Sequence, residues 1–284
     1  MRLARPDVFH PRIVLAGCPR KVAGDGDDAG LVAALRSRGL HARWLSWDDP
    51  DTADAHLVIL RAPRDYGERL DDFLAWTTTV PNLLNPAAVV AWNADRRYLQ
   101  DLANGGVPTV AGRTYRPGEQ VDWPDAEHVF VGPSVGTGSR RFSDRSAAHT
   151  YIAELHATGR GVLVQPGSSE PHTVLVFVGS TPSHAFVPRG DALHQGEADF
   201  EIWDAGALAL TAAAGQAGVG ADELLCARVE LVGVRVLEVQ LIDPSLGWRH
   251  LDAHTRGLAQ RNFALAVESA LQRLGLGPFS HRRP

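Results

Sequence analysis

Arg228, Glu230, Glu238 and Gln240 fall in two adjacent runs, RVELV and RVLEVQLID, separated by Gly233 and Val234. Apolar residues alternate with polar ones, so Val229, Leu231, Leu237, Val239 and Leu241 can face a core while the polar residues face the other way. A reversal near Gly233 makes the two runs an antiparallel hairpin. In a register that pairs residues of equal parity, Glu230 and Glu238 share one face and Gln240 follows one side chain further on. A two-residue loop would oppose Glu230 to Leu237 and break that pattern. Two carboxylates brought together without a nearby lysine repel each other, and a divalent cation with its preference for oxygen ligands relieves the repulsion.

A second candidate is GPSVGTGSRR (132–141), a glycine- and serine-rich loop whose backbone N–H groups can approach an anion such as phosphate. It is neither GxxxxGK[ST] nor GxGxxG, and by itself it reads equally as a flexible connector. Arg96 and Arg97 sit on a helix that can face the same cleft. Gln165-Pro166 ends a strand, either at an adenine-receiving hinge or because a strand stops before proline. Asp243, directly after the hairpin, reads as a cap. Cys18 and Cys226 are too few for a disulfide scaffold or a structural zinc site, and Cys226 reads as a small buried hydrophobe. His172 and His184 bracket a hairpin but define no metal motif.

These residues need elements to hold them. RIVLAG (12–17), HARWLSW (41–47) and AHLVILRA (55–62) read as strands, with helices expected over 27–39 and 68–80. Strand and helix alternate, which predicts a doubly wound parallel sheet with ligand loops at 17–28 and 61–68. Asn93 is expected to cap a helix over 94–106. A connecting segment follows, then a strand at 128–132, a helix at 144–159 and a strand at 161–166. A hairpin over 173–179 and 183–189, a helix near 206–219 and a closing amphipathic helix at 259–275 complete the expectation. The final SHRRP reads as frayed. The domain boundaries this implies are 1–92, 93–160 and 161–284.

The chain has 284 residues, 44% hydrophobic and 21% charged, with a formal net charge of -5. That is an ordinary globular composition without the basic stripe of a nucleic-acid binder. No run of 18 apolar residues occurs and the N-terminus lacks a signal-peptide core, so the expected setting is cytoplasmic, away from membranes.

Taken in order, NPAAVVAWNADRRYLQDLANGGVPTV (85–110), VGPSVGTGSRRF (131–142), VLVQP (162–166), TVLVFVGSTPSHAF (173–186) and ARVELVGVRVLEVQLIDPSL (227–246) resemble the ATP-grasp superfamily, particularly its glutathione-synthetase-like actinobacterial members. The resemblance extends forward through CPR at 18–20, SWDDP at 46–50 and LRAPRDYGERLDDFLAW at 60–76. It implies an α/β and α+β architecture: a pre-ATP-grasp doubly wound domain, then two subdomains clasping ATP and Mg²⁺. It also implies ligation of a small-molecule carboxylate to an amine through an acyl phosphate, and it leaves room for a homodimer or a protein partner. Residue by residue, Glu230, Glu238 and Gln240 match metal ligands, and Arg228 matches a contact to the transferring phosphate. Gly136, Thr137, Gly138 and Ser139 match the phosphate-covering loop. Arg96 matches a phosphate-side lysine, and Gln165 falls at the adenine hinge. Arg64, Asp65 and Ser245 are candidates for the acceptor side. Three further positions depart from the pattern: Gly132 stands for a lysine, Glu201 for an arginine and His172 for a glutamate. Two readings stay open, an active ligase and a degenerate protein that binds a nucleotide, another ligand or a partner.

Overall fold

The computed structural model describes residues 9–24, 26–189 and 192–277; the SHRRP terminus lies outside them. Four short parallel strands open the chain: β1 (Ile13–Gly17), β2 (Ala42–Ser46), β3 (Leu57–Ala62) and β4 (Leu83–Leu84), in the order β2-β1-β3-β4. Strands β1 and β3 are buried throughout, as continuous apolar runs of a parallel sheet should be. Helix α1 (Leu31–Ser37) is shorter than the expected 27–39. Asp27 and Asp28 remain in the preceding loop, where their carboxylates serve other partners. Helix α2 (Leu70–Thr77) adds Phe73 to a core with Trp47 and Tyr66.

Asn93 is not a helix cap. It ends α3 (Ala87–Asn93), and the next helix, α4 (Tyr98–Asn104), starts later than expected. The second sheet, in the order β5-β8-β6-β7, comprises β5 (Arg113–Tyr115), β6 (Val129–Pro133), β7 (Arg140–Phe142) and β8 (Val162–Pro166). Its change to the next sheet therefore falls after Pro166, whereas the sequence pattern suggested 161. Helix α5 (Arg145–Ala157) covers this sheet, and the Asp144 side chain accepts from the Ser146 N–H at its start.

The third sheet runs β11-β10-β9-β12-β13, from β9 (His172–Val178), β10 (Thr181–Arg189), β11 (Ala192–Gly196), β12 (Cys226–Val232) and β13 (Arg235–Gln240). Helix α6 (Phe200–Gln216) packs on it and starts earlier than expected. Helix α7 (Ala253–Arg273) also starts early, because Asp252 caps it by accepting from the N–H groups of His254 and Thr255. Its Phe263 and Val267 join Leu15, Ile59 and Phe186 in one core, which ties the first sheet to the third.

The β12–β13 pairing reaches the expected register by an unexpected route. Val232 pairs with Arg235 and Leu231 with Val236, so the loop is two residues, with Gly233 at φ 59°. A bulge between Glu230 and Leu231 then shifts the register and places Glu230 opposite Glu238 and Arg228 opposite Gln240. Strand β13 lies at the sheet edge, yet its outer backbone is occupied. Asn93 donates to the Val239 carbonyl at 2.9 Å and accepts from the Leu241 N–H at 2.9 Å. The Tyr98 hydroxyl accepts from the Val239 N–H, and Asn85 donates to the Leu241 carbonyl. Residues 108–110 bond both backbone groups of Val236. Those partners replace the strand that an edge otherwise invites.

Candidate active site

Glu238 is 1% exposed and sits where three segments meet. Its Oε1 accepts from the Gly138 N–H at 2.9 Å and from Gln240 Nε2 at 3.2 Å. Arg96 Nη2 approaches the same oxygen at 2.8 Å, an ion-pair contact whose angle leaves Nη2 without a directed hydrogen bond. Oε2 has no partner at all. A buried carboxylate oxygen left unpaired costs free energy unless something arrives to use it, and a cation fits that oxygen.

The 132–141 loop lies over this group. Gly136 and Gly138 take φ values of 104° and 94°, which favour glycine. The loop's first half is tied to the α3–α4 junction: Arg96 N–H donates to the Ser134 carbonyl, and Gly136 N–H to that of Ala94. Its second half rests on the hairpin. Thr137 donates its hydroxyl to Asp243 at 2.9 Å, Gly138 donates to Glu238, and Ser139 Oγ accepts from Arg96 Nη1 at 2.8 Å. Thus Arg96, Gly136, Thr137, Gly138, Ser139, Glu238 and Gln240 are brought together as the sequence suggested.

Arg228 and Glu230 form the next part of the wall. Glu230 Oε1 accepts from Arg228 Nε at 3.0 Å and Nη2 at 2.7 Å, and Oε2 meets His172 Nε2 at 3.0 Å. Burial alone would raise the Glu230 carboxyl, but Arg228 and His172 outweigh it and hold it well below the usual carboxylate range. Beside them opens a cavity of about 460 Å³ lined by Phe130, Ser139, Arg140, Arg141, His172, Arg228 and others, with three guanidinium groups suited to an anion. Gln165 is apart from this group. Its Nε2 donates to the carbonyls of Val110 and Leu237, so its side chain braces β13.

The departures acquire physical accounts. A Cβ at Gly132 would lie 2.9 Å from the Gly138 carbonyl oxygen and 3.1 Å from Arg96 Nη2, so the Arg96 guanidinium occupies the space a side chain there would need. Glu201 is exposed in the first turn of α6, where a carboxylate is favoured, and is not among the residues lining the cavity. His172 turns to Glu230.

Several residues escaped the sequence reading. Arg61, at the end of β3, donates to Asp28 at 2.9 Å and to the Pro244 carbonyl at 3.0 Å, while its buried Nη1 has no partner. Asp27 accepts from Ser245 Oγ and Gly247 N–H. The Tyr66 hydroxyl is also buried and unpartnered. Of the expected acceptor-side residues, Asp65 instead accepts from the Trp47 indole at 2.8 Å. The only sequence signal for this group was its place in loops after parallel strands.

Asp243 is not a cap; its carboxylate faces the glycine loop. Burial pushes its carboxyl up to about 6, against the opposing Thr137 hydrogen bond and Arg64 charge. A raised carboxyl favours the protonated folded chain. Its stabilising contribution is therefore full below the ordinary value of 3.8 and is lost as pH rises through about 6. Between about pH 5 and pH 7 the chain should lose about 1 kcal/mol relative to Asp243→Asn. Urea midpoints measured across that range check this, and parallel curves for the two proteins would refute it.

The arrangement is that of the ATP-grasp class: a parallel front domain and two further sheets, with a glycine loop closing over a carboxylate hairpin. A crystal structure of D-cycloserine synthetase DcsG matches with a TM-score of 0.73 and 28% identity, over 92% of this chain and 99% of that one. A D-alanine–D-alanine ligase from Bacillus anthracis, complexed with ATP, has the same fold with a TM-score of 0.68 at 14% identity, over 93% and 98% of the two chains. Residues 13–85 match the family model of the N-terminal domain of D-cycloserine synthetase DcsG. The cycloserine biosynthesis protein DcsG of Streptomyces lavendulae is 32% identical over 263 residues, 78% of this chain and 88% of the relative. The chain belongs to the DcsG-like family of ATP-grasp ligases. Its mechanism is ligase-like and runs through an acyl-phosphate intermediate. Among the described residues no helix is long and apolar enough to cross a membrane.

Proposed function

We propose that this chain is an Mg²⁺-dependent ligase that uses ATP to activate a small, amino-acid-derived carboxylate, which an amine-type nucleophile then captures. One observation carries the reading. Unpartnered buried polar atoms collect around the seam between the front domain and the hairpin: Glu238 Oε2, Arg96 Nε, Tyr66 Oη and Arg61 Nη1. The likeness to a D-cycloserine synthetase supports the substrate class. Glu238 and Gln240 would hold Mg²⁺, which when bound neutralises phosphate oxygens and orients the transferring group.

The chain's own groups supply the rest. Arg140, Arg141 and Arg228 line the cavity that would receive the nucleotide. Arg96 sets a buried cation beneath the loop, and positive φ at Gly136 and Gly138 lets that loop present backbone N–H groups to phosphate. Arg61 Nη1 and Tyr66 Oη offer donors on the front-domain side for the carboxylate being activated. The filling of the Gly132 space by Arg96 weighs against a degenerate binder, since a cation remains there.

Calorimetric titration of ATP with and without Mg²⁺ tests the reading. Binding should strengthen by about tenfold or more with the metal, and ADP should appear once a suitable carboxylate and amine are supplied. Undetectable binding at millimolar Mg-ATP would sink it.

A further inference from the structure

Glu230 and Glu238 face one another across the hairpin but are engaged differently. Both oxygens of Glu230 are taken, Oε1 by two N–H groups of Arg228 and Oε2 by His172. Glu238 gathers its contacts on Oε1 and leaves Oε2 buried and unpartnered. Ligating a cation takes an oxygen lone pair that is not already accepting a charged hydrogen bond. Drawing Glu230 onto an ion would strip Arg228 and His172 of their common partner, and a buried charge separated from its counterion is destabilised. Among the described residues no group of three or more His, Cys, Asp or Glu side chains is placed around one metal position.

We infer that the hairpin carries a single protein-ligated divalent ion, on Glu238 with Gln240, and that Glu230 is a positioning residue. Its work is to hold Arg228 and His172 at the wall of the anion cavity, where both line the space beside Phe130. The inference rests on the nucleotide reading above and concerns how that site divides its two carboxylates. Glutamine at 230 retains an acceptor for Arg228 and offers an N–H to a neutral His172, so Glu230→Gln preserves the positioning contacts while removing the charge a metal ligand needs.

The test is a manganese titration, followed by electron paramagnetic resonance, of the full chain saturated with the β,γ-imido analogue of ATP. Wild type and Glu230→Gln should each hold one Mn²⁺ per complex, with affinities within about threefold of each other. Glu238→Gln should weaken Mn²⁺ by about tenfold or more. Glu230→Ala should lower the thermal midpoint and weaken the analogue, and Glu230→Gln should restore both. Two ions per complex with one lost in Glu230→Gln would overturn the inference, as would a tenfold weaker ion in that variant. Failure of wild type to retain the analogue is a separate result, which removes the nucleotide reading and this inference with it.

Discussion

Replacing Arg96 by alanine should destabilise the folded chain by about 3–5 kcal/mol, because it leaves Glu238 as an uncompensated buried carboxylate. The guanidinium is 2% exposed, lies 2.8 Å from that carboxylate, and donates to Ser139 on the glycine loop. Its removal also opens the space beside Gly132. Nucleotide binding should fall further than the stability loss explains, by roughly 30-fold or more, since a desolvated cation next to phosphate contributes about 2–5 kcal/mol. A cycle with Glu238→Gln separates the two effects. The double variant should recover much of the stability, because no naked carboxylate remains, but it should not recover nucleotide affinity. Urea unfolding and calorimetry read the two quantities. Wild-type affinity in a folded Arg96→Ala protein would show that the cation is structural only.

The second large effect is at Asn93. One amide side chain satisfies the Val239 carbonyl and the Leu241 N–H on either side of Gln240, in a region without water. Asn93→Ala leaves two buried backbone groups unpaired and should cost roughly 2–5 kcal/mol. Asn93→Asp keeps the acceptor for Leu241 but turns an oxygen toward the Val239 carbonyl, so it should rescue little. Hydrogen exchange should then report faster exchange at Val239 and Leu241 than at the core of β9. A loss below about 1 kcal/mol would mean that solvent reaches this edge.

The β12–β13 face could be read from alternation alone, because a strand's side-chain period is fixed by its pleat. The register was read correctly and its cause was not. The bulge that restores parity is a backbone event with no signature in RVELV or RVLEVQ. Asn93 was read as a cap because asparagine at a helix start usually is one, but a partner 146 residues away won the side chain. The same distance hid Arg61 and Asp27, whose partners Pro244 and Ser245 lie on the far side of the chain. Helix α7 began early for a local reason, the Asp252 cap, which a closer reading of DAHT could have found. Glu230 shows the remaining limit: residue type suggested a ligand, while only geometry reveals that both oxygens are engaged.

The division of the cores has a mechanical consequence. Helix α7 and the strands of the first and third sheets share one apolar core, so front domain and hairpin must travel together as a rigid body. The β5–β8 sheet keeps a separate core with α5, drawn from residues between Tyr115 and Val164. Swinging that sheet away leaves its core whole and breaks mainly the polar contacts of Thr137, Gly138 and Ser139, together with the loop's ties to the α3–α4 junction. Opening the cleft is therefore opposed chiefly by hydrogen bonds, which water can replace, and little by apolar surface, which it cannot. The hinge that admits ligand belongs to the smallest of the three sheets' units, and the exchange map proposed for Asn93 would record it as amides of the 134–139 loop opening ahead of β12 and β13.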